Sequence, residues 1–231
     1  MNIMVSDRIK NEKFTESFFS VVLTTYNRAA LLKRALDSLV NQIETDWEAI
    51  IIDDGSTDKT SLLIEPYLQN GHSIQYIYQK NTGYAMAKNS GIFLSKGKFI
   101  TFLDSDDEYS PTHLQTRKEI LLNHPGTDFL YGGVEVLGSQ YVPDRFDYNK
   151  MIPLSECVIG GTFFIKRQVA ISLSGFLNTP MGSDADFFER INKTKAIIRE
   201  SFIPTYMYHR DNENSITNNF MKKIVRQEIS K

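Results

Sequence analysis

Phe99-Ile100-Thr101-Phe102-Leu103-Asp104-Ser105-Asp106-Asp107 is an apolar run that ends abruptly in acid. Its β-branched and aromatic residues, preceded by Gly97, predict a buried strand over 98–103. Three carboxylates then stand where that strand surfaces. Carboxylates this close repel one another, and a divalent cation that joins them relieves the repulsion. The alternative is an acidic turn capping the helix that begins near Pro111, because acids at a helix N-terminus are favourable in their own right. The same strand-then-acid layout occurs earlier, where the apolar run over 47–52 meets Asp53 and Asp54.

Working outward, the chain alternates strands and helices. Ser20-Val21-Val22-Leu23-Thr24 reads as a first buried strand. Leu31, Leu32, Ala35, Leu36, Leu39 and Val40 follow at helical spacing, with Asn27 placed to act as the N-cap. After the strand over 47–52 come a helix through Leu62, Leu63 and Leu68, a strand over 74–78 and a helix over 84–94. Strands and helices at this spacing imply βαβ crossovers and a mostly parallel sheet. Ligands of such sheets bind at the carboxyl ends of the strands. The polar residues that follow strands one, two and four therefore converge on one crevice.

Beyond Pro111 the pattern loosens. A helix is expected from Pro111 to about His124, then one or two strands over 129–137, and a long irregular loop over 140–155. Gly160-Gly161 reads as a tight turn before another strand, and residues 183–191 as a helix with a short strand near 196–198. This second half reads as a lid or acceptor half built onto the first, not as a separate domain.

Composition narrows the class. The 231 residues are 41% hydrophobic and 23% charged, which suits one large α/β domain. A formal charge of −2 offers no positive field for nucleic acid, which is not expected as a partner. One cysteine, Cys157, excludes an internal disulfide framework and any multi-cysteine metal site. No apolar stretch approaches the roughly 20 residues that span a bilayer, and the first 17 residues carry no apolar signal core. A cytoplasmic location is the default expectation.

Three constellations carry chemistry. Thr24-Thr25-Tyr26-Asn27-Arg28 follows the first strand, where Tyr26 can lie against a flat base and the main chain at Thr24 can bond to it. No glycine-rich loop occurs here, so neither a P-loop nor a dinucleotide fingerprint is present. Asp53-Asp54-Gly55-Ser56 follows the second strand, and a carboxylate there can accept the N3–H of uracil; a plain strand-to-helix turn favours the same residue types. The 104–107 acids suit Mg²⁺ or Mn²⁺, hard cations that take oxygen ligands.

Taken in order, these blocks resemble the family 2 glycosyltransferases, which have the GT-A fold. The resemblance runs from about Phe19 to Ser215 through Ser-Val-Val-Leu-Thr-Thr-Tyr-Asn-Arg, Ile-Ile-Asp-Asp-Gly-Ser-Thr-Asp, Asn81-Thr82-Gly83, Ala87-Lys88-Asn89-Ser90-Gly91-Ile92 and the stretch over 97–107. It implies a mostly parallel central sheet flanked by helices, with a Rossmann-like nucleotide half and an acceptor-side half. It also implies a polar extension over 1–17, one domain over 18–215 and a basic helical tail over 216–231.

The activity implied is metal-dependent, inverting transfer of a sugar from a nucleotide diphosphate sugar, a UDP-sugar, to a saccharide or lipid-linked acceptor. By resemblance Thr24, Tyr26 and Asp53 bind the nucleoside, Asp104 approaches the ribose or sugar, and Asp106 coordinates Mn²⁺ or Mg²⁺. Lys88 matches a basic position that can touch phosphate, with a solvated helix face as the alternative. The family's base opens a late helix, and Asp184 occupies its position, although Ser183 stands where Glu is usual. Asp186 is the fallback. His209 is expected to reach the diphosphate or metal if its loop is shifted, since Asn212 falls on the family's His position. The basic tail with Phe220, Ile224 and Lys223 either packs on the domain or touches a membrane surface near its acceptor. A sugar-nucleotide pyrophosphorylase and a non-catalytic sugar-nucleotide binding module are the rival readings. The first should carry a glycine-rich loop after strand one, and the second should lose the late acid or the acid pair.

Overall fold

The structure is a computed structural model and describes residues 17–211 together with 215, 217, 221 and 222. The expected N-terminal extension up to residue 16, Asn212 and most of the C-terminal tail lie outside the described residues.

The first half is built as the sequence pattern implies. Strand β1 (Phe19–Thr25), helix α1 (Ala29–Val40), β2 (Trp47–Asp53), α2 (Thr60–Gln69), β3 (Ile74–Tyr78), α3 (Tyr84–Leu94) and β4 (Phe99–Asp104) alternate without interruption. All seven residues of β1 and of β2 are buried, the signature of strands covered on both faces. Side chains alternate across the sheet. Val21 and Leu23 pack with Leu32, Leu36 and Leu39 of α1, while Val22 faces Ile92, Phe102, Phe163 and Phe187 on the opposite side.

The second half adds β5 (Glu108–Tyr109), α4 (His113–Asn123), β6 (Phe129–Tyr131), β7 (Val134–Gly138), β8 (Tyr141–Pro143) and β9 (Met151–Pro153). Then follow two short 3₁₀ turns, β10 (Phe164–Lys166), α5 (Arg167–Ser172), α6 (Ser183–Asn192), β11 (Ile198–Glu200) and β12 (Tyr206–Arg210). The main sheet has seven strands in the order β11-β6-β10-β4-β1-β2-β3, antiparallel only on the two sides of β10. A second sheet, β5-β12-β7, sits beside the carboxyl end of β4. No helix among the described residues is long and apolar enough to cross a membrane.

Parallel register is what makes the crevice. Thr24 pairs with Asp104 on one side and Thr25 with Asp53 on the other, so three strands end at one level. Two local expectations are corrected. Residues 140–155 are not irregular throughout, because β8 and β9 form an antiparallel hairpin. Asn27 does not cap α1: Arg28 holds the N-cap position, and Asn27 adopts a left-handed φ of 51°. The Asn27 side chain instead accepts the Thr57 N–H at 2.7 Å, and Asp58 reaches across to accept the Ala29 N–H at 3.1 Å. The α1 terminus is thus capped from the turn after β2, which ties the first two strand ends together.

Candidate active site

A cleft of about 1250 Å³ opens at these strand ends. Ligand pockets usually hold roughly 300–1,000 Å³, so there is room for two substrates side by side. Its walls include Thr24, Tyr26, Arg28, Asp54, Asp104, Asp106, Asp184 and His209. Residues more than 180 positions apart in sequence meet there because β1, β4 and β12 end, and α6 begins, at this level.

The acid turn does not act as one cluster. Asp104 closes β4, and the Asp107 N–H donates to its carbonyl at 3.0 Å to tighten the turn. Asp104 and Asp106 line the cleft, but Asp107 turns inward, fully buried, and accepts the Tyr206 hydroxyl at 2.7 Å and the His209 N–H at 2.9 Å. Burial, with Asp106 and Asp104 nearby, holds its carboxyl well above the usual carboxylate range. This corrects the reading of three acids joined by one cation.

The protein's own cations and hydroxyls offset much of the repulsion. Arg28 Nη1 lies 2.8 Å from Asp106 Oδ2, and Arg34 donates to the Asp106 carbonyl. Lys88 Nζ lies 3.2 Å from Asp104 Oδ1 and against the hydroxyl of Tyr84, one helical turn earlier. Lys88 is 1% exposed, which removes the alternative of a solvated helix face. Its ammonium sits 4.3 Å from the Tyr84 ring centroid and 5.1 Å from that of Phe102, an aromatic nest that favours a buried cation. Tyr84 also donates to Asp104 at 3.2 Å, and burial beside that carboxylate raises its phenol well above the usual value, keeping it a donor.

The two acids after β2 divide their work. Asp53 is 1% exposed and off the cleft wall; it accepts the Ser56 N–H and the Tyr76 hydroxyl, each at 2.7 Å. Asp54 is on the wall and binds the N–H groups of Thr82 and Gly83 at 2.9 and 2.8 Å, pulling the 79–83 loop to the crevice. Tyr26, half exposed, presents its ring at the same end.

Asp184 enters from α6. One oxygen accepts the Gly160 N–H at 3.0 Å, while Oδ1 is buried without a hydrogen-bond partner. Burial raises its carboxyl above the ordinary carboxylate value; the Lys88 ammonium opposes that shift and Asp104 adds to it. The carboxylate rests directly on Gly160, where an added Cβ would stand 2.5 Å from its carboxyl carbon. Only glycine permits that approach. Asp186 is elsewhere, paired with Arg190 at 2.8 Å and off the cleft wall.

Asp104 and Asp106 suit a divalent cation that arrives with a diphosphate, which takes one or two carboxylates and fills its remaining positions with phosphate oxygens and water. His209 lines the same wall with Nε2 3.1 Å from Glu108; its Nδ1 is buried, and the nearest carboxylate, Asp211, is beyond hydrogen-bond reach at 3.7 Å. No group of three or more His, Cys, Asp or Glu side chains stands ready as a cage among the described residues. Oxygen donors from a ligand are therefore needed to complete such a site.

Sequence reasoning passed over several residues of this wall. Arg28 was visible within its block but had no assigned partner. Tyr84 lies four residues before Lys88, a spacing that puts them on one helix face. Arg145, which pairs with Glu189 across the cleft mouth, gave no signal, since 44 residues separate them.

Comparison with known proteins follows the same lines. WfgD of Escherichia coli, a UDP-Glc:alpha-D-GlcNAc-diphosphoundecaprenol beta-1,3-glucosyltransferase, is 24% identical over 90% of this chain and 83% of its own length. TuaG of Bacillus subtilis, a putative teichuronic acid biosynthesis glycosyltransferase, is 30% identical over 55% of this chain and 51% of its own. The crystal structure of Staphylococcus aureus TarS with UDP-GlcNAc superposes with a TM-score of 0.72 at 20% identity, over 86% of this chain and 60% of that one. The mannosyltransferase PcManGT of Pyrobaculum calidifontis, with GDP-Man and Mn²⁺, gives 0.66 at 18% identity, over 84% and 57%. This chain thus spans only part of several of its relatives, and the structural likeness speaks for the GT-A fold. The family model described as Glycosyl transferase family 2 matches residues 20–172, which takes in the first two strand ends, the acid turn and the Gly160 support of Asp184. The chain belongs to glycosyl transferase family 2.

Proposed function

We propose that the protein is an inverting, divalent-metal-dependent glycosyltransferase that moves one sugar from a UDP-sugar to an acceptor hydroxyl. One observation carries the reading: Asp184, a partly buried carboxylate whose Oδ1 is buried without a hydrogen-bond partner, shares a cleft wall with Asp104 and Asp106. The glucosyltransferase activity of WfgD, the teichuronic acid role given to TuaG and the UDP-GlcNAc held by TarS lend support to a nucleotide-sugar donor and a cell-surface saccharide or lipid-linked acceptor.

In this reading Tyr26 lies on the uracil ring, the main chain at Thr24 bonds to the nucleoside, and Asp53, itself off the wall, bears on the base only through the turn that it braces. Asp104 meets the ribose or sugar. Asp106, with His209 on the same wall, would hold Mn²⁺ or Mg²⁺, which would neutralise charge on the diphosphate. Lys88, fixed against Asp104, adds a second positive charge near the phosphates. Asp184 takes the acceptor hydroxyl's proton as the new C–O bond forms on one face of the anomeric carbon. The bond to the diphosphate breaks on the other face, so the configuration inverts. A carboxyl raised by burial is a stronger proton acceptor than one in water, which suits a base. Positioning and charge stabilisation supply the remainder.

Calorimetry with UDP and GDP, with and without Mn²⁺, tests the donor side on wild type and Asp106→Ala. The expected result is UDP binding enhanced by Mn²⁺ in wild type and no such enhancement in the variant. Equal enhancement in both proteins removes Asp106 from the metal site, and preference for GDP removes the uracil assignment.

A further inference from the structure

Tyr206 opens β12 and has no part in the reaction described above, yet its hydroxyl stands between the two halves of the site. It donates to Asp107 Oδ2 at 2.7 Å and accepts the Asp104 N–H at 3.4 Å, so it touches the acid turn twice. The other oxygen of Asp107 accepts the His209 N–H at 2.9 Å, which clips the turn to β12 a second time. The Tyr206 ring is fully buried, edge-on to Tyr109 with centroids 5.7 Å apart. On its far side the hydroxyl rests on Gly161: a Cβ added there would fall 2.1 Å from the oxygen and 2.2 Å from Cζ. Gly161 adjoins Gly160, whose N–H holds Asp184 at 3.0 Å.

A continuous path therefore runs from Asp104 and Asp107 through Tyr206 to Gly161, Gly160 and Asp184. Each link is a hydrogen bond, a peptide bond or a contact too close for a methyl group. Packed interiors have few voids and transmit displacement instead of absorbing it. A phenol in that place sets how far the acid turn stands from the backbone under Asp184. Partners of this kind orient reacting groups without touching substrate.

We propose that Tyr206 is a positioning residue that holds the acid turn and Asp184 at the separation required for transfer. The inference rests on Asp184 acting as the base. A reacting group misplaced by about 1 Å can lose on the order of 10²-fold in rate, and loss of one hydroxyl contact permits part of such a shift. Tyr206→Phe is expected to lower kcat for transfer by roughly tenfold while donor KM stays within about threefold.

A double-mutant cycle separates positioning from general support of the fold. Transfer is measured for wild type, Tyr206→Phe, Asp184→Asn and the double variant, each shown to be folded by UDP-binding stoichiometry. If Tyr206 acts through Asp184, the double variant transfers no more slowly than Asp184→Asn within about twofold. The same factor in both backgrounds, or a loss confined to donor KM, overturns the inference and leaves the base assignment standing. Full turnover by Asp184→Asn alone overturns the base assignment and this inference with it. Should Tyr206→Phe fail to fold, Gly161→Ala strikes the same hydroxyl from the opposite side and enters the same cycle. It is expected to show the same kcat loss and the same non-additivity.

Discussion

Replacing Gly160 by alanine is the sharpest probe of the proposed base, because it leaves every reacting group in place chemically. The added Cβ would lie 2.5 Å from the Asp184 carboxyl carbon and 2.5 and 2.6 Å from its oxygens, where ordinary contact begins at 3.4 Å. Asp184 must therefore withdraw by about 1 Å, or the 159–162 turn must move by a similar amount. Retreat is obstructed, since Oδ1 is already buried against the protein. The hydrogen bond from the Gly160 N–H at 3.0 Å is stretched or lost in either case. A displacement of about 1 Å at a reacting group costs on the order of 10²-fold in rate, and overpacking of this kind costs roughly 1–3 kcal/mol of stability. The assay is turnover of UDP-sugar with a saturating acceptor, beside UDP calorimetry and a denaturant melt of the same preparation. Transfer should fall about a hundredfold while UDP affinity stays near wild type, because the nucleoside end of the cleft is untouched. Full turnover in Gly160→Ala would refute the reasoning, since a base that tolerates such a shift is not positioned by this contact.

Asp184→Asn should lower transfer by roughly 10²–10⁴-fold, the range typical of a lost general base, with UDP binding retained. Asp186→Asn should transfer near the wild-type rate, because it removes only an i,i+4 pair with Arg190 worth about 0.5 kcal/mol; the reverse pattern would move the base by two residues. The base must be deprotonated, and burial raises its pKa, so wild-type kcat should fall with decreasing pH along a limb above the ordinary carboxylate value of 3.8. That limb should vanish from the residual activity of Asp184→Asn. Asp53→Ala should weaken UDP binding more than GDP binding. It should also cost about 1–3 kcal/mol in a denaturant melt, because two hydrogen bonds are lost when the half-buried Ser56 N–H and Tyr76 hydroxyl lose their acceptor. An unchanged UDP-to-GDP ratio would assign Asp53 to the turn alone.

The first half was legible because its signals are local. Apolar runs ending in Asp53 and Asp104, separated by helical stripes, specify strand and helix through periodicity alone, and parallel pairing then brings the strand ends together. The second half was less legible. The 140–155 hairpin lacks strong alternation and contains Pro143 and Pro153, so its pairing depends on contacts that a local pattern does not encode. Asn27 misled because residues that favour an N-cap also tolerate left-handed backbone, and the outcome was decided by Thr57 and Asp58 from the next strand end.

By itself the sequence determined the element order through β4, the crevice that parallel strands must open, and which acids stand at its mouth. Tertiary structure alone decided what those acids do. Asp106 meets Arg28, Asp104 meets Lys88, and Asp107 turns away to Tyr206, three outcomes for three neighbouring carboxylates. Composition and spacing treat such neighbours alike. Their environments differ because α1, α3 and β12 deliver different partners to each, and a carboxylate's charge, reach and role are set by the groups that surround it in space.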